Sequence, residues 1–380
     1  MTKLVGGRII GTERAAAITT SGGLITSVDA DASDDPGDRE IDVAGLVAPP
    51  GLIDIQINGA YGFDFTSDPT SIWRIGAKLP EQGVTAFLPT IITSPREAID
   101  AARVALAARP VDYHGAEPLG LHLEGPMLSP QRPGVHDPEL MRLPTLDLAR
   151  GWTPGGGVAM VTLAPELTGS QEVIHALTDA GVVVSAGHSA ATLREAEAGF
   201  DWGVTAVTHL FNAMEPFDHR APGLIGAVVR HKSAIAGMIA DGLHSDPAVV
   251  LAAWKWLGPA RLLLVTDAMA ATGLGDGEYR LGHAAVTVKQ GKVTDSTGRL
   301  AGSTLTLDRA VRNLMGFAGC SAAEAVAAAS TVPAGLLGRG DRGRLAVGAR
   351  ADLVLFDEAM EVVATMVGGQ FVYVREGWAI

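Results

Sequence analysis

Four ionisable residues stand where strand-like runs of this sequence end. Leu119, Leu121 and Leu123 alternate with Gly120, His122 and Glu124, and Gly125-Pro126 then stops the run. Two later runs, VVVSAGHS and TAVTHLFNA, end on His188 and His209, and RLLLVTDA ends on Asp267. One carboxylate and two imidazoles delivered by three strand ends make the ligand set of a catalytic metal site with an open position. Asp267 is then a candidate base beside water held by that ion. Each residue alone could be a helix cap or a hydrogen-bonded core group. Their coincidence at the C-terminal ends of strands, where parallel α/β folds keep their chemistry, points to a site.

Such a site needs a scaffold that aims several strand ends at one point. From Pro49-Pro50-Gly51 onward, strand and helix patterns alternate. Candidate strands are 52–58, 85–90, 119–124, 158–164, 182–188, 205–209, 234–240 and 261–267. The segments between them mostly carry helical signals. SQEVIHALTDAG places Val173, Ile174 and Leu177 on one face with Gly181 at the C-cap, and Thr192 to Glu195 is a capping-box pattern. Eight such units predict a (β/α)₈ TIM-like barrel. A doubly wound sheet explains less well why polar residues end strands three, five, six and eight.

The barrel is expected over 50–343, with a hairpin around Gln290-Gly291 inserted after the eighth strand. The flanks, 1–49 and 344–380, read as short strands, and 29–39 reads as a polar turn. Neither flank is long enough to stand alone, so together they are expected to form one small β-sandwich domain built from both chain ends.

Composition narrows the function classes. With 380 residues the chain should bury about three quarters of its unfolded surface. A net charge of −13 argues against a general nucleic-acid binder and requires any anionic substrate to meet a local positive cluster. The single cysteine, Cys320, excludes an intrachain disulfide and fits a reducing cytoplasm. The first residues lack a signal-like apolar region, and no apolar run reaches the roughly 18 residues of a membrane span. A cytoplasmic enzyme without membrane or nucleic-acid partners is the expectation.

The pieces PGLIDIQINGAYG, GVTAFLPT, HLEGPMLSP, GHS, THLFNAM, GLIG, ADGLH, LVTDAMAATG, LAGSTLTLDRAV and GARADLVLFD resemble, in this order, the amidohydrolase superfamily. Within it they resemble the N-acetylglucosamine-6-phosphate deacetylase family, over nearly the whole chain. The resemblance implies a metal-dependent deacetylase that releases acetate from an amino-sugar phosphate. It implies that Glu124, His188 and His209 hold one divalent ion per subunit, zinc first, with iron, cobalt or manganese also compatible. Asp267 would move the proton from water to the leaving amine, and His136, in QRPGVHDP, would hydrogen-bond the acetamide carbonyl. Asn212, Ala213, Arg220 and His244 would hold the sugar phosphate, and Leu300, Ala301, Gly302 and Ser303 would line the sugar pocket. It also implies a homodimer, with Arg220, in PFDHRAPG, reaching the neighbouring site.

One departure bears on the metal count. Many amidohydrolases carry His-x-His on the first strand, whereas this chain has Gln56-Ile57-Asn58. Amides are poor ligands for zinc-type ions, so a second metal site should be weak or empty. A deacetylase for the galacto epimer, or another amidohydrolase, is the enzyme alternative. A non-catalytic assembly protein of the same fold would be expected to lack part of the set Glu124, His188, His209 and Asp267.

Overall fold

In a computed structural model, the described residues are 1–12, 17–29 and 39–378. The polar turn expected at 29–39 falls almost wholly outside them. The eight barrel strands are Leu52–Ile57, Val84–Ile92, Leu121–Glu124, Val158–Leu163, Val183–Ala186, Ala206–Val207, Ile235–Met238 and Leu262–Leu264. They pair in parallel and in sequence order, so each strand end points the same way. A short run, Glu117–Pro118, joins the second strand just ahead of the third. The circle closes where Asp267 N donates to Gln56 O at 2.8 Å and Asn58 N donates to Ala268 O at 2.7 Å.

Burial follows from the closure. Every residue of Leu52–Ile57 and Val84–Ile92 is buried, because one face packs inside the barrel and the other under helices. The helix Ser170–Asp179 buries Val173, Ile174 and Leu177 and exposes the intervening polar positions. Ala180 is its C-cap, and the left-handed Gly181 follows (φ 82°). Thr192 and Glu195 form a reciprocal capping box at the start of Leu193–Trp202. No α-helix follows the third strand. The chain there is a long loop that carries His136.

The insertion is larger than a hairpin. Gly277–Leu281, Ala284–Lys289 and Lys292–Asp295 form a three-stranded antiparallel sheet. Gln290 and Gly291 turn in left-handed backbone, and a second turn at Gly282 (φ 55°) adds the strand that a single hairpin lacks. The chain ends build two further sheets, one ordered 24–29, 17–21, 2–5, 39–42 and the other 8–9, 47–48, 353–356, 362–367, 370–374. Leu4, Ile18 and Ile25 share one apolar core with Leu353, Leu355 and Val363.

Candidate active site

Glu124 is the last residue of its strand, whereas His188, His209 and Asp267 lie two or three residues past the ends of theirs. All three adopt left-handed backbone, with φ of 47°, 32° and 49°, as do nearby Phe211 and Ala213. Non-glycine residues in that region cost on the order of 1 kcal/mol each and concentrate at functional sites. The left-handed kink turns each side chain away from the strand's alternation and into the barrel mouth. Gly125 (φ 92°) supplies the corresponding turn after Glu124, where a Cβ would collide with Thr93 Oγ1.

Three donor atoms converge. Glu124 Oε1 lies 3.1 Å from His209 Nε2 and 3.3 Å from His188 Nε2, and the two imidazole nitrogens are 3.0 Å apart. All three residues are buried. His188 Nδ1 meets the carbonyl oxygen of Arg132 at 3.0 Å, which requires the proton on Nδ1 and leaves the Nε2 lone pair facing the cluster. His209 Nδ1 is buried with no hydrogen-bond partner among the described residues, so that ring is held by packing and by its Nε2 contacts. Two imidazole lone pairs and a carboxylate oxygen aimed at one point fit a divalent cation.

Gln56 and Asn58 turn their amide NH₂ groups toward the carboxylates. Gln56 Nε2 donates to Glu124 Oε1 (3.2 Å) and to Asp267 Oδ1 (3.3 Å), and Asn58 Nδ2 donates to Asp267 Oδ1 (2.7 Å). Burial pushes Asp267 up to about 6, the negative charge of Glu124 adds to this, and the Asn58 bond opposes it. Burial would raise Glu124 as well, but its contacts with the His188 and His209 imidazoles outweigh that and hold it well below the carboxylate range. His209 moves upward: burial opposes its charge, and the bond to Glu124 prevails.

His136 stands at the edge of the cluster, its Nε2 4.0 Å from Glu124 Oε2. The backbone N–H of Thr93 donates to its Nδ1 at 3.2 Å, so the neutral ring carries its proton on Nε2, facing the site. Burial and the neighbouring His188 push His136 down to about 3, which keeps the ring neutral near pH 7.

A cleft of about 350 Å³ opens above these groups. Besides the residues already placed, it is lined by Asn212, Ala213, His244, Leu300, Ala301 and Gly302. His244 Nδ1 is fixed by Asp241 Oδ2 at 2.7 Å. Two residues of the expected set do not line this chain's own cleft. Ser303 is buried behind the cleft, where its hydroxyl donates to Thr266 O at 2.6 Å, and it is not among the residues that line the cleft. Arg220 is exposed and outside the cleft.

Two cations unforeseen in the sequence line the cleft instead, Arg132 and Arg299. Arg132 pairs with Glu215 at 2.6 Å and Arg299 with Asp295 at 3.0 Å. Their chain positions were the available signal: Arg132 lies in the loop of His136, and Arg299 directly precedes Leu300.

The amidohydrolase family model matches residues 47–372. The N-acetylglucosamine-6-phosphate deacetylase of Rattus norvegicus is 41% identical over 89% of this chain and 86% of its own length. An N-acetylgalactosamine-6-phosphate deacetylase of Escherichia coli is 38% identical over 84% of this chain and 86% of its own. Among solved structures, a variant of the N-acetyl-D-glucosamine-6-phosphate deacetylase of Mycobacterium smegmatis, in complex with N-acetyl-D-glucosamine-6-phosphate, superposes with a TM-score of 0.88. It is 36% identical, and the match covers 98% of this chain and 99% of that one.

Proposed function

The chain belongs to the amidohydrolase family, and we propose that it hydrolyses N-acetylglucosamine 6-phosphate to glucosamine 6-phosphate and acetate. The convergence of Glu124 Oε1, His188 Nε2 and His209 Nε2 beside a buried Asp267 carries this assignment. Deacetylases at about 40% identity over most of the chain support the substrate.

Glu124, His188 and His209 would hold one divalent ion per subunit. Zinc suits the nitrogen and oxygen donors best, and iron, cobalt or manganese are also compatible. When bound, the ion supplies a Lewis acid and makes water a nucleophile near neutral pH. Asp267 accepts the proton of the attacking water and returns it to the departing amine. His136 donates Nε2–H to the carbonyl oxygen as negative charge develops there. Asn212, Ala213 and His244 hold the sugar phosphate, and Leu300, Ala301 and Gly302 form a wall for the sugar.

The phosphate has two sources of positive charge. Arg132 and Arg299 lie in the same cleft, and Arg220, on its exposed excursion, would reach the site of a second copy in a homodimer. We place the protein in the cytoplasm, on its single free cysteine and the lack of any described helix long and apolar enough to cross a membrane. We assign residues 1–49 and 344–380 to the small β domain and 50–343 to the barrel.

Release of acetate from N-acetylglucosamine 6-phosphate, its galacto epimer and the unphosphorylated sugar, measured side by side, tests the assignment. The 38% identity to an N-acetylgalactosamine-6-phosphate deacetylase favours the galacto epimer as the alternative. A galacto preference would move the assignment there, and no acetate from either phosphate would remove it.

A further inference from the structure

A second cavity of about 210 Å³ adjoins the catalytic cleft, and the two share Ile92, Val135 and Leu281 as walls. Ile92 ends the second barrel strand, Val135 precedes His136 in its loop, and Leu281 ends the first strand of the insertion. Ile92 and Leu281 are 5% and 2% exposed and belong to one apolar cluster, against which Val135 packs. Each of the three residues lines both spaces, so the partition is one residue thick. Asp137, His283 and Ala284 line the far space.

The partition stands beside the reacting centre. Thr93, next after Ile92, holds His136 Nδ1 through its amide at 3.2 Å and its hydroxyl at 2.8 Å. If His136 meets the carbonyl oxygen, the remaining substituent of the attacked carbon is the acyl methyl. That methyl is apolar, and the apolar walls adjacent to His136 are these three side chains.

We infer that Ile92, Val135 and Leu281 bound the acyl subsite and that Leu281 sets the length of the N-acyl group removed, the second cavity being the space behind it. This rests on the deacetylase assignment above. The reaction itself is unchanged for a longer chain. Water adds its hydroxyl to the acyl carbon, the C–N bond breaks, the amine takes the proton, and the chain leaves as its carboxylate. Ile92 and Val135 are tied to His136 through their chain neighbours, whereas Leu281 stands on the insertion, away in sequence from every catalytic residue. Leu281 is therefore the wall to trim.

One methylene against a closed apolar wall changes kcat/KM by about 10- to 200-fold. The test is release of glucosamine 6-phosphate from its N-acetyl, N-propionyl and N-butyryl derivatives by the metal-loaded protein. The wild type should lose at least ~10-fold in kcat/KM from acetyl to butyryl. Leu281→Ala should narrow that gap by about 10-fold or more. Adding Ala284→Met, which refills the far cavity, should widen it again. Leu281→Val carries the same test if Leu281→Ala does not fold. A wild type that accepts butyryl as readily as acetyl, or an unchanged butyryl-to-acetyl ratio in the Leu281 variants, overturns the length gate alone. A wild type inert toward the acetyl compound overturns the deacetylase assignment itself.

Discussion

Asn58 Nδ2 lies 2.7 Å from Asp267 Oδ1, a hydrogen bond from the end of the first barrel strand to the loop after the eighth. It joins the two edges at which the barrel closes, and it favours the charged form of a buried carboxyl that burial pushes up to about 6.

Asp267 as base must be ionised to act. Asp267→Asn should therefore keep the fold and any bound metal while losing at least ~10²-fold in turnover. Near-normal turnover in a metal-replete variant would remove Asp267 from the mechanism. Asn58→Ala should act on the same group in a graded way. Without the bond that lowers Asp267, the acid limb of kcat/KM should move to higher pH, and a limb that stays put would sever the link between the two residues.

The Gln56 and Asn58 amides donate to the carboxylates of Glu124 and Asp267. We expect one tightly held divalent ion per chain, lost in Glu124→Gln, as read by elemental analysis after gel filtration. Two tight equivalents in the wild type would contradict a single-metal site.

Asp54 is fully buried under the mouth of the barrel, where Thr266 Oγ1 donates to its Oδ2 at 2.6 Å. Burial raises it from 3.8 to about 7, against its hydrogen bonds. The folded state then binds a proton that the unfolded state releases, so stability should fall as pH rises from about 4 to about 7 and level off above. The penalty on the alkaline side is on the order of 4 kcal/mol at 1.4 kcal/mol per pH unit. Asp54→Asn should abolish that slope in denaturant titrations at pH 5 and pH 8. Parallel slopes in the two proteins would assign the pH dependence elsewhere.

Arg220→Ala should raise KM for the phosphorylated sugar and hardly change the slow reaction of the unphosphorylated one. If Arg220 serves a second copy, mixing Arg220→Ala with Asp267→Asn subunits should restore part of the activity. No recovery despite demonstrated exchange would return the phosphate to Arg132 and Arg299.

Strand order and the site's donors were legible because both rest on local rules. Alternating apolar runs such as Leu119–Leu123 mark a strand, and a polar residue at its end stands out against them. The three left-handed turns at His188, His209 and Asp267 were not legible, since nothing local in GHS, THL or TDA requires positive φ. The runs were therefore expected to extend further than the strands do. The cleft's arginines were missed for another reason: Arg132 and Arg299 sit on aperiodic loops whose path is set by distant packing. Ser303 shows the converse. It follows Leu300 to Gly302, which line the cleft, but its own hydroxyl is directed to Thr266 O.

The small β domain places strands from the two extremes of the chain in one core, with the whole barrel between them in sequence. During synthesis the strands at 2–5 and 17–21 emerge before the barrel and must wait, with Leu4 and Ile18 uncovered, until 353–367 has been made. Packing between these two groups of strands is of high contact order, so it forms late and leaves the early strands open to misassociation in the interval. Loss of the strands at 353–374 would thus uncover Leu4, Ile18 and Ile25 on strands that precede the barrel.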